Sequence, residues 1–158
     1  MKIYQGSCNC GSVKFELEDH PAWLSACHCS TCRKRTGSDY GLSVMTDLSN
    51  VKEYSGETKT YIRTGDSGNA VQYEFCPNCG TTIRWTVALI PGRVAFAAGT
   101  FNDMSWMRVG GEMYTEEAAP WGPLGCENSR PGPPDDDWRI AASSHLRQNL
   151  VSNPNDGR

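Results

Sequence analysis

Short runs in which apolar and polar residues alternate dominate the N-terminal two-thirds of the chain. In residues 11–18 (GSVKFELE), Val13, Phe15 and Leu17 fall on one face and Lys14, Glu16 and Glu18 on the other, the period of a half-buried strand. Tyr40–Met45 predicts a further strand. Val51–Tyr54 and Thr58–Arg63 predict two short ones on either side of a turn at Ser55-Gly56. Asp66–Asn69 reads as a turn. Val71–Phe75 and Thr81–Ile90 read as strands, and Pro91-Gly92 turns the chain back into Arg93–Ala98. Pro21–Ala26 leads towards a cysteine-rich stretch, and the polar segment Arg33–Ser38 predicts a loop or a short helical turn. Many short strands joined by regular turns indicate a mainly β fold of small antiparallel sheets.

The pattern changes at Pro120. Pro120, Pro123, Pro131, Pro133 and Pro134 lie near three consecutive aspartates, Asp135 to Asp137, which favours irregular chain over sheet or helix. Trp138–Val151 then predicts a short terminal helix with Asp137 as N-cap, and Ser152–Arg158 a frayed end. The expected organisation is one domain over residues 1–125 and a Pro/Asp-rich extension over 126–158. No internal repeat is visible. Trp85, Trp106 and Trp121 are scattered, as core tryptophans usually are, although they also suit a pocket wall.

Composition narrows the function. Sixteen glycines and nine prolines in 158 residues suit a turn-rich β fold, and a hydrophobic fraction of 38% gives only a modest core. A formal charge of −3 offers no counter-ion surface for phosphates, so nucleic-acid partners are not expected. No apolar run reaches membrane-spanning length, and the start (MKIYQG) lacks the apolar stretch of a secretory signal. A cytoplasmic location is expected, where thiols stay reduced and clustered cysteines are metal ligands more often than disulfides.

Seven of the eight cysteines fall into three tight clusters. Cys8 and Cys10 are one residue apart, and on a strand both would point to one face. Cys76 and Cys79 flank Pro77-Asn78 and are followed by Gly80, a CPxCG turn of the zinc-knuckle type. Neither pair satisfies zinc alone, so together they are expected to form a Cys₄ structural site that staples distant parts of a small core. The alternatives are two unrelated reduced pairs, a redox pair at Cys76/Cys79, or a disulfide framework.

Cys27, Cys29 and Cys32 (CHCSTC) are three candidate ligands within one short segment. Three ligands leave a fourth position open, as a catalytic zinc requires. A closed site completed by Cys126 or by a histidine is the alternative. His28, between two of the cysteines, is expected to point away from their ion and support it from behind. Three thiolates on Zn²⁺ make a weak Lewis acid but a good holder of a substrate thiolate, which points to thiol chemistry. Arg33, Lys34 and Arg35 follow directly and offer positive charge to an anionic thiol such as glutathione, though a basic run is as often a solvated face. Asp39, His28 and Asp103 are candidate proton acceptors.

The segments GSCNCGSVKF at 6–15, CHCSTCRK at 27–34 and FCPNCG at 75–80, with AGTFND at 98–103, resemble the signature of the glutathione-dependent formaldehyde-activating family, also called the centromere protein V/Gfa domain family. The resemblance covers roughly residues 3–121. It implies an Mss4-like or β-tent fold with two zinc ions, one structural on Cys8, Cys10, Cys76 and Cys79 and one catalytic on Cys27, Cys29 and Cys32. It also implies a carbon–sulfur lyase activity, S-(hydroxymethyl)glutathione synthase, joining glutathione to formaldehyde. The Pro/Asp-rich tail, with Cys126, has no counterpart in that pattern. The Mss4-like fold also hosts non-catalytic, zinc-stabilised protein-binding modules, which is the alternative function. The apolar and aromatic residues leave room for a homodimer.

Overall fold

The computed structural model describes the backbone of residues 2–151 and the side chains of residues 2–144. The expectation for Ser152–Arg158, and any ligand role for His145, lie outside the described residues. The chain is mainly β, as the alternation predicts, and it divides into two compact units.

The first unit comprises residues 2–21 and 44–105. A three-stranded sheet is built from β1 (Ile3–Ser7), β2 (Lys14–Glu18) and β3 (Val51–Ser55), with β2 in the middle and both pairings antiparallel. A second set of strands, β4 (Lys59–Thr64), β5 (Ala70–Phe75), β6 (Thr82–Val87) and β7 (Arg93–Ala97), pairs in chain order. β3 and β4 flank the predicted Ser55-Gly56 turn but belong to different sheets, so that turn is a crossing and not a hairpin. Val13, Phe15 and Leu17 are buried as predicted, but the strand begins only at Lys14, because residues 8–13 are folded into a turn. The core is aromatic: Phe15 lies 4.5 Å from Phe96 and 4.9 Å, edge-on, from Phe101 between ring centroids. Gly6 is required here, since a Cβ would meet the Phe15 ring at 2.3 Å and the Thr100 carbonyl at 2.4 Å.

The second unit comprises residues 22–43 and 106 onward. β8, our label for Trp23–Cys27, pairs in parallel with the short β9 (Gly111–Met113), unlike the antiparallel pairs β1–β2, β2–β3, β4–β5, β5–β6 and β6–β7 of the first unit. Cys27 ends that strand and leads into helix α1 (Ser30–Thr36). The chain then enters β10 (Gly41–Asp47), whose later residues belong to the first unit. The terminal helix α2 (Asp136–Val151) starts two residues before the predicted Trp138. Its N-cap is not Asp137 but Asp135, whose carboxylate accepts the Trp138 N–H at 2.9 Å, because only there does the side chain precede the first helical turn. Trp138 is buried and donates its indole N–H to the carbonyls of Glu112 and Asn128. A Cβ on Gly110 would meet the Ala142 carbonyl at 2.7 Å, so a glycine there lets α2 lie close to the chain.

Candidate metal centres

Both cysteine pairs of the first unit sit in hairpin connections. Cys8 and Cys10 lie between β1 and β2, and Cys76 and Cys79 between β5 and β6. Cys8 and Cys10 therefore occupy a turn rather than one face of a strand, a correction to the sequence expectation with a clear physical cause. The Gly11 N–H bonds the Cys8 carbonyl at 3.0 Å, and the Cys8 N–H bonds the Val13 carbonyl at 2.9 Å. The CPNCG loop repeats that geometry: Gly80 N–H to Cys76 carbonyl and Cys76 N–H to Thr81 carbonyl, both at 2.9 Å. The glycine after each pair, Gly11 at φ 76° and Gly80 at φ 75°, takes the left-handed conformation that closes the turn.

The two loops bring the four sulfurs within 4.8 Å of one another. Cys8 and Cys10 Sγ are 3.5 Å apart, and Cys10 and Cys76 Sγ 3.8 Å. A tetrahedral zinc with bonds of about 2.3 Å places its sulfurs ~3.8 Å apart, so the spacing fits such an ion. It is too long for a disulfide, and all eight cysteines are free thiols. The surroundings favour the thiolate at Cys10 and Cys79, while the Cys76 thiol lies above its ordinary value despite the Ser12 hydroxyl beside it. The Ser12 hydroxyl, then Asn78, holds the Cys10 thiol down at about 5, and the Thr81 hydroxyl lowers Cys79 to about 7. Ser12 Oγ also lies 3.3 Å from Cys76 Sγ.

In the second unit Cys27, Cys29 and Cys32 also converge, with their sulfurs within 4.8 Å. Among the described residues, neither Cys126 nor a histidine joins them. Cys29 is the N-cap of α1, and its sulfur accepts the Cys32 N–H at 3.4 Å. Hydrogen bonds from the Cys27 and Cys32 thiols, and then from backbone N–H groups at this helix start, pull the Cys29 thiol well below its ordinary range. Its bond to Cys29 pushes Cys27 the other way. Three sulfurs held this close are the donor set of a soft divalent ion such as zinc, which would take all three as thiolates. Arg33, Lys34 and Arg35 occupy the last turn of α1, where positive charge also complements the helix carbonyl end. Lys34 is exposed. Arg33 is half-buried, and its Nε has no hydrogen-bond partner. The Arg35 guanidinium lies over Gly41 beside Cys32.

His28 is only 1% exposed and makes a 2.9 Å bond through Nε2 to Glu112, which is fully buried. Sequence reasoning missed Glu112, since a lone glutamate in a glycine-rich stretch carries no signal. Its carboxylate also accepts the N–H groups of Leu124 at 2.9 Å and of Gly125 and Cys126 at 2.8 Å, and the Ser129 hydroxyl at 2.7 Å. Burial opposes its ionisation, but bonds from Ser129, His28 and the backbone outweigh this and hold it below the usual glutamate range. Two more carboxylates bind near α1: Glu117 accepts the Ser30 N–H at 2.9 Å, and Asp39 accepts the Trp121 indole N–H at 2.8 Å. Asp103, in the first unit, caps the Ser105 N–H at 2.8 Å. Trp85 and Trp106 are core residues, but Trp121 is 76% exposed, contrary to the expectation for the tryptophans as a group. Its indole N–H is held at the surface by Asp39 instead of being buried.

A family model agrees with the cysteine signature. The family model described as glutathione-dependent formaldehyde-activating enzyme matches residues 3–117. A Schizosaccharomyces pombe protein named as an uncharacterized lyase is 32% identical over 83 residues, covering 52% of this chain. The match spans 57% of that relative's length. A crystal structure of a Rhodobacter sphaeroides protein aligns with 62% of this chain and 87% of its own at 22% identity and a TM-score of 0.49. The chain belongs to the glutathione-dependent formaldehyde-activating enzyme family.

Proposed function

We propose that the protein is a zinc-dependent carbon–sulfur lyase that joins a thiol to a small aldehyde, with glutathione and formaldehyde, named in the family description, as the leading pair. The observation that carries this reading is the three-thiol cluster of Cys27, Cys29 and Cys32, which among the described residues lacks a fourth protein ligand. Zinc held there would supply a position at which a substrate thiol is kept as thiolate. The S–H bond of the thiol breaks, a C–S bond forms at the carbonyl carbon, and the carbonyl oxygen takes up a proton.

The chain's own residues hold the site and the substrates. Cys29 and the start of α1 set the sulfur positions, and the His28–Glu112 bond fixes the segment between Cys27 and Cys29. Arg33 and Lys34 offer positive charge to the carboxylates of glutathione. Cys8, Cys10, Cys76 and Cys79 serve a structural zinc in the first unit. A reducing compartment such as the cytoplasm suits this thiol chemistry.

The test is NMR exchange between formaldehyde and S-hydroxymethylglutathione, with zinc-loaded protein and its Cys29→Ser variant. Acceleration that requires Cys29 supports the proposal. Full acceleration by the variant refutes the role of the cluster. No acceleration by either, with zinc present, favours the non-catalytic binding module.

A further inference from the structure

Cys29 is the middle thiol of the three-thiol cluster, and both of its neighbours in sequence are held by carboxylates from one short segment. His28 bonds Glu112 through Nε2 at 2.9 Å and donates its N–H to the Met113 carbonyl at 3.0 Å. Ser30 donates its N–H to Glu117 Oε2 at 2.9 Å. That nitrogen belongs to the Cys29–Ser30 peptide, so Glu117 grips the backbone of Cys29 itself. Met113 also stands opposite Cys27 in the β8–β9 pairing. Residues 112 to 117 therefore hold the chain at positions 27, 28 and 30, all around Cys29.

The holding segment has to bend back to do this. Glu112 and Met113 are extended, Tyr114 takes the left-handed conformation at φ 56°, and the chain then closes into the 3-10 turn Thr115–Glu117. A positive φ is uncommon for a bulky side chain and persists only where the surroundings impose it. An extended chain would instead carry residue 117 about 13 Å beyond Met113. The turn is anchored through N–H groups: Thr115 to the Arg130 carbonyl at 3.0 Å, Tyr114 to that of Gly132 at 3.1 Å, and Glu117 to that of Tyr114 at 3.0 Å. The first N–H groups of α1 lack partners within the helix. Glu117 takes the one at Ser30, and the Cys29 sulfur takes the one at Cys32 at 3.4 Å, which keeps that sulfur beside Cys32 in the cluster.

We infer that Glu117 is a positioning residue of the three-thiol centre: its hydrogen bond to the Ser30 N–H fixes the Cys29 backbone, so that the Cys29 sulfur is in place before an ion arrives. The inference rests on the proposed metal centre at Cys27, Cys29 and Cys32. Ligands held in place beforehand lose less freedom on binding, and the groups that orient them raise the retention of the ion. The role needs an acceptor atom at residue 117 and no proton transfer. The four-thiol cluster lies in the other unit, where its sulfurs meet the hydroxyls of Ser12 and Thr81, so its retention of an ion is independent of Glu117.

The full chain is loaded with ¹¹³Cd, which gives each site its own NMR resonance. The resonance lost in Cys29→Ser belongs to the three-thiol centre, and the other reports the four-thiol cluster. EDTA is then added in steps. In Glu117→Ala the three-thiol resonance shifts and is lost at about tenfold lower EDTA than in wild type. The four-thiol resonance is unchanged, which shows an intact fold. Glu117→Gln, whose amide oxygen still accepts the Ser30 N–H, keeps the wild-type shift and midpoint. A three-thiol resonance that Glu117→Ala neither moves nor weakens overturns the inference and leaves the metal centre standing. An equal change at both resonances overturns it as well, because Glu117 would then serve the fold in general. So does a Glu117→Gln variant as weak as Glu117→Ala, because charge and not the hydrogen bond would be the cause. If Cys29→Ser removes no resonance, the metal centre itself is refuted, and the inference with it.

Discussion

Replacing Glu112 tests how the irregular tail is held to the reactive unit. The carboxylate accepts from five donors: His28 Nε2, the N–H groups of Leu124, Gly125 and Cys126, and the Ser129 hydroxyl. In Glu112→Leu four of them lose their acceptor, while the Ser129 hydroxyl keeps the Cys126 carbonyl at 2.5 Å. Each orphaned buried donor costs about 1–3 kcal/mol. Leu124 and Gly125 are exposed, however, so water recovers part of that penalty on the tail side. The net loss is then about 3–5 kcal/mol, carried mainly by His28 Nε2 and the Cys126 N–H, the donors least open to water. Glu112→Gln is milder, about 2 kcal/mol, because one amide oxygen can still accept from two donors while the amide nitrogen faces the rest.

The pH sign follows from the lowered carboxyl. A group whose folded pKa lies below its unfolded value stabilises above the unfolded value, and that contribution is lost as pH falls through the folded one. The gap between wild type and Glu112→Leu should therefore be constant near neutrality and close below the ordinary glutamate value of 4.5. Urea unfolding across that range measures it, with hydrogen exchange at Leu124 to Cys126 as the local readout. A Glu112→Leu protein within about 1 kcal/mol of wild type, with those amides unchanged, would refute the reasoning.

Three further outcomes follow from the first unit and the thiol clusters. Gly6→Ala should destabilise by about 1–3 kcal/mol, since its methyl must displace the Phe15 ring and the Thr100 carbonyl; a thermal melt decides this. Phe96→Ala should cost about 3–5 kcal/mol in urea titration, because Phe96 is fully buried against Phe15 and Phe101. A strong chelator should lower the melting temperature of wild type and of Cys29→Ser but have little further effect on Cys76→Ser, which already lacks one of the four clustered thiols; metal content read alongside the melts would expose the opposite order.

The local elements were legible because they depend on nearest neighbours in sequence. The alternation of Val13, Phe15 and Leu17 set the buried face of β2, and Pro91-Gly92 set the turn before β7. The cysteine spacings named both clusters, since a two-residue spacer with a following glycine brings thiols together whatever the remainder of the chain does. Even so, the Cys8/Cys10 pair was misplaced onto a strand, because the hydrogen bonds that fold residues 8–13 into a turn involve Val13 and are not visible as periodicity.

Composition and spacing by themselves determined that this is a small, mainly β, thiol-rich protein with two converging cysteine sets. Only the tertiary structure decided that Glu112 is buried, that five donors converge on it, and that the proline-rich tail is strapped to the three-thiol segment. It also decided that Trp121 stays in solvent while Trp85 and Trp106 enter the core. The physical reason is range. Side-chain alternation and metal-ligand spacing are short-range regularities of one segment. A buried carboxylate is stable only if distant residues deliver their donors to it, and His28 lies 84 residues from Glu112 along the chain.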